Sequence, residues 1–230
     1  YSEFTLKESH WSFSIKTCET ILYNEYWAEK LSQANNFHDT ILFDLDREYT
    51  SYLATVINDF IKKHQITNID FISSHGHTVY HQPEENYTFQ LGNRIELREL
   101  IKKPIVCDFR VQDVALGGQG APLVPIGDLL LFKDFSHCIN LGGFCNISIK
   151  NDLGIIAYDI CPVNVVLNYY SKEIGLSFDK DGNLAKSGSV NKQLLKDLNQ
   201  IEYYVEEPPK SLGIEWVKVN IFKIIDKYKI

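Results

Sequence analysis

Apolar and polar positions alternate loosely over residues 1–17, with Phe4 and Leu6 followed by Trp11, Phe13 and Ile15. This period predicts a hairpin with its turn near Lys7 to His10. Residues 18–43 are mixed, with a short helical stretch around 25–32. Over 46–65 the period changes. Tyr49, Leu53, Val56, Ile57, Phe60 and Ile61 recur at helix spacing, with Asp59, Lys62 and Lys63 between them, which predicts an amphipathic helix. Residues 68–73 and 87–91 read as short strands. Gly92 and Asn93 open a helix running to 103, with Asn93 as its N-cap and Glu96 completing a capping box. Pro104 stops it, and 104–107 reads as a buried strand. A helix over 123–132 is entered through Pro125. Strands follow over 137–141, 144–149 and 155–160. Helices follow over 163–173, 191–198 and 215–228, with a polar loop over 178–188. Interleaved strands and helices with hairpin pairs predict a mixed-sheet α/β fold.

Composition narrows this only a little. The chain has 230 residues, 44% hydrophobic and 23% charged, as in ordinary globular proteins. A formal net charge of -7 leaves no basic stripe to neutralise nucleic-acid phosphates. It leaves room for a nucleotide site built from backbone N–H groups and a metal ion. The five cysteines are scattered and never form a C-x-x-C pair. They read as reduced core thiols of a cytosolic protein rather than a disulfide frame. No run is long and apolar enough to span a membrane. The chain begins at Tyr1, holds no Met and ends inside a helical pattern, so both ends read as cut.

Candidate chemistry gathers in a few places. Asp108, Arg110 and Asp113 precede Gly117, Gly118, Gln119 and Gly120. Three glycines in four residues suit a backbone that must approach something closely. An acid beside such a loop, after a strand end, is where open α/β sheets keep their chemistry, though a tight turn with a solvated acid fits too. His75, His77 and His81, with Ser74, Thr78 and Tyr80, admit a zinc reading. They suit hydrogen bonds and ring contacts to a sugar better, because no carboxylate follows at a ligand spacing. Gly142 and Gly143, with Asn146, form either a plain hairpin turn or a backbone anion site. Asp159, near Pro162 and Asn164, could hold magnesium through water or cap a helix. Asp179 to Gly182 begins like a calcium loop but lacks the later acid, and reads as a turn.

Taken in order, SHGHTVYHQP, TFQLGN, DFRVQDVALGGQGAPLVP, INLGGFCNIS, DKDGNLAKSG and PPKSLGIEW resemble the anhydro-N-acetylmuramic acid kinase family. The likeness runs from about Ser73 to Trp216, and less distinctly back to Tyr1. GGQGAPLVP is its most specific part. The resemblance implies an actin-like ATPase (ribonuclease H-like) architecture, an incomplete two-domain kinase. A mostly sugar-binding part would occupy 1–125 and the start of a nucleotide-side domain 126–230. The implied reaction uses ATP and Mg2+. Water adds across the anhydro bond of the sugar and a phosphate is placed on the freed 6-oxygen, as part of peptidoglycan recycling in the cytoplasm.

Asp113 matches the family's catalytic acid. His77, Tyr80, Gln90 and Gln119 fall on the sugar side. Gly142, Gly143, Asn146, Asp159 and Asn164 fall on the phosphate side, with Asp159 as a magnesium ligand through water. Expected partners are the amino sugar and ATP, with no nucleic acid and no membrane, and room for a homodimer. Two departures stand out. The family's N-terminal Gly-Thr-Ser-x-Asp-Gly turn and its later adenosine-binding glycine segment are absent. Where the family shows Asp-Thr-Gly-Pro-Gly-Asn, this chain has Asp159, Ile160, Cys161, Pro162, Val163 and Asn164. The piece is therefore expected to bind ATP poorly, and a non-catalytic sugar-binding module is the alternative to a kinase.

Overall fold

Side chains that alternate between two faces pair into the first element. In the computed structural model, which describes residues 1–82, 85–118, 120, 123–152, 154–208 and 210–228, β1 (Ser2–Lys7) and β2 (His10–Ile15) form an antiparallel hairpin. Helix α1 (Glu25–Gln33) follows, with the Asn24 carboxamide oxygen accepting the Trp27 N–H at 2.9 Å. The long helix α2 spans Asp39–Lys63 and starts seven residues earlier than its clean period does. The cause is visible in its first turns. Leu42 and Leu45 are buried, but Ile41 and Phe43 are exposed, so the apolar stripe is blurred there.

Strands β3 (Ile72–Ser73) and β6 (Ile105–Val106) pair in parallel. Between them lie β4 (His77–Gln82), β5 (Tyr87–Leu91) and helix α3 (Ile95–Ile101). β4 pairs antiparallel with β5. This strand is a correction, since no strand was predicted for the histidine-rich segment. A bulge at Val79 breaks its alternation. A second correction concerns α3. Its N-cap is Arg94, with no side-chain cap, and the predicted box of Asn93 and Glu96 does not form. A third is helix α4 (Phe109–Ala115), in a stretch before the glycine loop where no helix was predicted.

These elements belong to one compact unit, Tyr1–Leu123; a second covers Val124–Ile230. In the first, Trp27, Leu31, Leu42, Leu45, Tyr49 and Leu91 form a core joining α1, α2 and β5. Ala54, Leu97 and Ile101 join α2 to α3. The second unit opens with α5 (Val124–Leu131) and a three-stranded antiparallel sheet of β7 (His137–Leu141), β8 (Phe144–Asn151) and β9 (Gly154–Pro162). Then come α6 (Asn164–Glu173), α7 (Asn183–Ser187) and α8 (Lys192–Leu198). The Asp179 turn serves α7: its carboxylate accepts the Leu184 and Ala185 N–H groups at 2.8 and 3.0 Å. The last helical run holds α9 (Ile214–Val217), a wide π-type segment (Lys218–Phe222) and α10 (Lys223–Ile225). Val217, Ile221 and Ile225 line its buried side. The cysteines are unpaired; Cys145 is buried and Cys18 exposed. Among the described residues, no helix is long and apolar enough to cross a membrane.

Candidate active site

Parallel strands end on the same side of a sheet, and the turns that leave them meet there. His75 follows β3, and Asp108 follows β6. Asn93, in the turn after β5, knits the two together. Its side-chain N–H groups donate to the His75 carbonyl at 3.4 Å and to Asp108 Oδ1 at 2.9 Å. Asp108 is held in the left-handed region, at φ 57°, a conformation that costs a non-glycine residue stability and must be held by its surroundings.

Asp113 rides on α4, which ends in a Schellman turn. The Gly117 N–H donates to the Val114 carbonyl at 3.0 Å and the Gly118 N–H to the Asp113 carbonyl at 2.8 Å. Gly117 supplies the left-handed residue this turn needs, at φ 87°. Val114, 2% exposed, anchors the helix. The chain then folds back so that the Gly120 N–H donates to Asp113 Oδ2 at 2.7 Å. The carboxylate lies directly across Gly118: a Cβ on that glycine would stand 2.2 Å from Oδ2. Both main chain and side chain of Asp113 are therefore tied to the glycine loop, while the residue stays exposed. Asp113 Oδ1 has no hydrogen-bond donor among the described residues. Gln119 lies outside the described residues.

The sugar-side candidates do not all face this loop. His77 is half-buried, 6.4 Å between ring centroids from Tyr49. Burial holds its imidazole below the ordinary range, partly opposed by a hydrogen bond to the Leu31 backbone. Gln90 is 3% exposed and donates to Thr88 Oγ1 at 2.7 Å. Both side chains are turned into the protein. The hydroxyl of Tyr80 reaches the Asn35 carbonyl at 3.4 Å. The three histidines part company: His75 meets Arg110, His77 turns to Leu31, and His81 meets Thr88 Oγ1 at 3.4 Å. No metal-binding group of three His, Cys, Asp or Glu occurs among the described residues, so the three histidines are not brought together as the zinc reading requires.

In the second unit, Asn140, Asn146 and Asp159 pair across β7, β8 and β9. Directly opposed residues share a sheet face, so these three form one polar row. Asp159 lies within β9 rather than closing it, and its Oδ2 accepts the Leu212 N–H at 2.8 Å. The hydroxyl of Tyr203 donates to its carbonyl at 2.6 Å. The glycine turn is less open than expected. Gly142 donates its N–H back to the Phe144 carbonyl at 3.0 Å. The Gly143 carbonyl accepts the Val163 and Val165 N–H groups at 2.9 and 3.2 Å, and the Gly142 carbonyl accepts the Asn164 side chain at 2.8 Å. The turn caps α6, and the Gly142 N–H is spent inside the protein.

The features legible before folding were Asp113, the glycines and the polar row's members. The tie between His75, Asn93, Asp108 and Arg110 was not, because it joins three turns distant in sequence. The parallel strand ends and the glycine-clamped acid are the arrangement of an α/β enzyme site. A family model described as anhydro-N-acetylmuramic acid kinase matches residues 28–226, and the chain belongs to that family. Similar proteins bearing the same name occur in Pseudomonas syringae pv. syringae (41% identical, covering 66% of this chain and 44% of the relative), Pseudomonas syringae pv. tomato (37%, 78% and 52%) and Sulfurimonas denitrificans (31%, 94% and 62%). The chain thus spans about half the length of the curated relatives it matches.

Proposed function

We propose that this chain is part of an ATP-dependent kinase that opens the 1,6-anhydro bond of anhydro-N-acetylmuramic acid and phosphorylates its 6-oxygen. The product is N-acetylmuramic acid 6-phosphate, and the setting is peptidoglycan recycling in the cytoplasm. The observation that carries the reading is Asp113: one carboxylate oxygen held by the Gly120 N–H, in a chain of this family. Asp113 takes a proton from water as the water oxygen bonds the anomeric carbon. The bond from that carbon to the 6-oxygen breaks and its electron pair stays on the oxygen. That oxygen bonds the γ-phosphorus of ATP, and the pair from the broken P–O bond leaves on ADP. A positioned base of this kind contributes roughly 10²–10⁴ in rate. Alignment and charge stabilisation supply the rest.

In this reading, residues 1–125 hold the sugar and 126–230 begin the nucleotide side. Tyr80 and Gln119 approach the sugar, while His77 and Gln90 brace the strands behind it. Gly142, Gly143, Asn146 and Asn164 shape the phosphate side. Magnesium would be held through water by Asp159, whose Oδ1 has no donor among the described residues. One carboxylate suits an ion that keeps most of its waters, and such an ion neutralises phosphate charge when bound.

The test is direct. Incubated with ATP, Mg2+ and the anhydro sugar, the longer kinase of which this chain is part is expected to yield ADP and the 6-phosphate. Asp113→Asn keeps an oxygen for the Gly120 N–H and is expected to lose about 10²–10⁴ in turnover, with sugar affinity nearly intact by calorimetry. A variant that keeps most of its rate removes Asp113 from this role. Saturable sugar binding without turnover in the unmutated protein would favour a non-catalytic sugar-binding module.

A further inference from the structure

Arginines that are partly withdrawn from water are usually met by a carboxylate. Arg94 is: its guanidinium faces Asp46 at 3.4 Å and Glu96 at 3.0 Å. Arg110 is not. Among the described residues no carboxylate comes within 4.0 Å of it. Its Nε and Nη2 instead donate to Nε2 of His75 at 3.2 and 3.0 Å. The other ring nitrogen, Nδ1, lies 3.0 Å from the Gly76 carbonyl and donates to it. In this arrangement Nε2 accepts from the guanidinium and Nδ1 donates to the carbonyl. A ring nitrogen that accepts from the guanidinium orients it but supplies no counter-charge. Burial accordingly pulls Arg110 below its ordinary value.

The position of this cation matters as much as its lack of a counter-ion. Arg110 and Asp113 stand three residues apart on α4, so they project to neighbouring sides of the helix. Their side chains meet at one glycine. A Cβ on Gly120 would lie 3.0 Å from Arg110 Cγ, and the N–H of the same residue holds the Asp113 carboxylate. An oriented guanidinium with donors unused among the described residues, beside the proposed base, is a seat for an oxyanion.

We propose that Arg110 is a specificity-determining residue that binds the carboxylate of the sugar's lactyl ether. The inference rests on the kinase reading above. A muramic acid differs from the corresponding glucosamine by that ether, whose carboxylate is the one charge on the sugar. His75 acts as the positioning residue that sets the fork. A phosphate of ATP has related chemistry, so the experiment separates the two sources.

Binding is measured by calorimetry on this chain with three probes: anhydro-N-acetylmuramic acid, the neutral 1,6-anhydro-N-acetylglucosamine, and ATP. The unmutated protein is expected to bind the acid sugar about 10- to 100-fold more tightly than the neutral one, the range of a charge-assisted hydrogen-bonded pair. Arg110→Gln is expected to erase that margin, leave the neutral sugar within about twofold and leave ATP unchanged, while Arg110→Lys keeps part of the margin. Equal losses on both sugars, or a loss confined to ATP, would overturn the proposal. The two-sugar comparison on the unmutated chain stands even where Arg110→Gln fails to fold. Equal affinity for both sugars there would sink this inference alone. No binding of either sugar would sink the kinase reading and this inference with it.

Discussion

Gly118 and Gly117 are neighbours with different duties. Gly118 gives space: the Asp113 carboxylate occupies the volume a Cβ would need, 2.2 Å from Oδ2 and 2.7 Å from Oδ1. Gly117 gives conformation: it sits at φ 87° with nothing within 4 Å of a built Cβ. Gly118→Ala should therefore push the carboxylate off the Gly120 N–H and lower turnover by at least about 100-fold, at the low end of what a general base contributes. Gly117→Ala should cost about 1–2 kcal/mol of stability, the penalty of a left-handed L-residue, with turnover largely kept. Paired rate and thermal-unfolding measurements on the two variants separate these roles. A Gly118→Ala protein as active as its parent would mean that the carboxylate need not lie where it is clamped.

Between elements, the joint that sets the site is Asp46. It belongs to α2, is 6% exposed, and accepts the Gly92 N–H at 2.7 Å, where β5 gives way to the turn before α3. Asp46→Ala leaves that buried N–H unpaired and should cost about 1–3 kcal/mol by denaturant unfolding. Burial raises the Asp46 carboxyl above its ordinary value, outweighing the Gly92 N–H and Arg94, which act the other way. The folded state then binds the proton more tightly than the unfolded chain does. This contribution is greatest below the unfolded value near 3.8 and declines as pH rises through the folded one. Asp46→Asn has no such decline. Its stability relative to the parent should improve between pH 4 and pH 7, and an unchanged difference would show that Asp46 does not titrate as described.

At the scale of the whole chain, one face of the first hairpin is an apolar surface left uncovered. Registered pairs Phe4↔Phe13 and Leu6↔Trp11, with Ile15 opposite Ser2, place five apolar side chains on one face of the hairpin. Phe4, Leu6 and Ile15 are 55%, 53% and 61% exposed. A two-stranded hairpin is marginal by itself, and such a face binds apolar partners. The chain should bind a hydrophobic dye, and the double change Leu6→Thr, Phe13→Thr should reduce that signal while the far-ultraviolet spectrum is kept. An unchanged dye signal would place the apolar surface elsewhere.

Much of this was readable without coordinates, because the information is local. Alternation made the β1–β2 hairpin visible, and a 3.6-residue period made most of α2 visible. Glycines beside an acid marked the loop, since only a backbone with special demands carries them. The same reading missed β4, whose bulge at Val79 breaks the alternation. It also missed α4, whose seven residues offer too short a period to recognise. Side-chain direction was beyond its reach. His77 and Gln90 are polar side chains in one dimension, yet His77 lies half-buried against Leu31 of α1 and Tyr49 of α2, and Gln90 is buried. Arg110 meets His75 across 35 residues of chain, a contact that exists only because two parallel strands end together. Local residue chemistry named the acid, its loop and the N–H that holds it; long-range packing decided which side chain orients the cation three residues away.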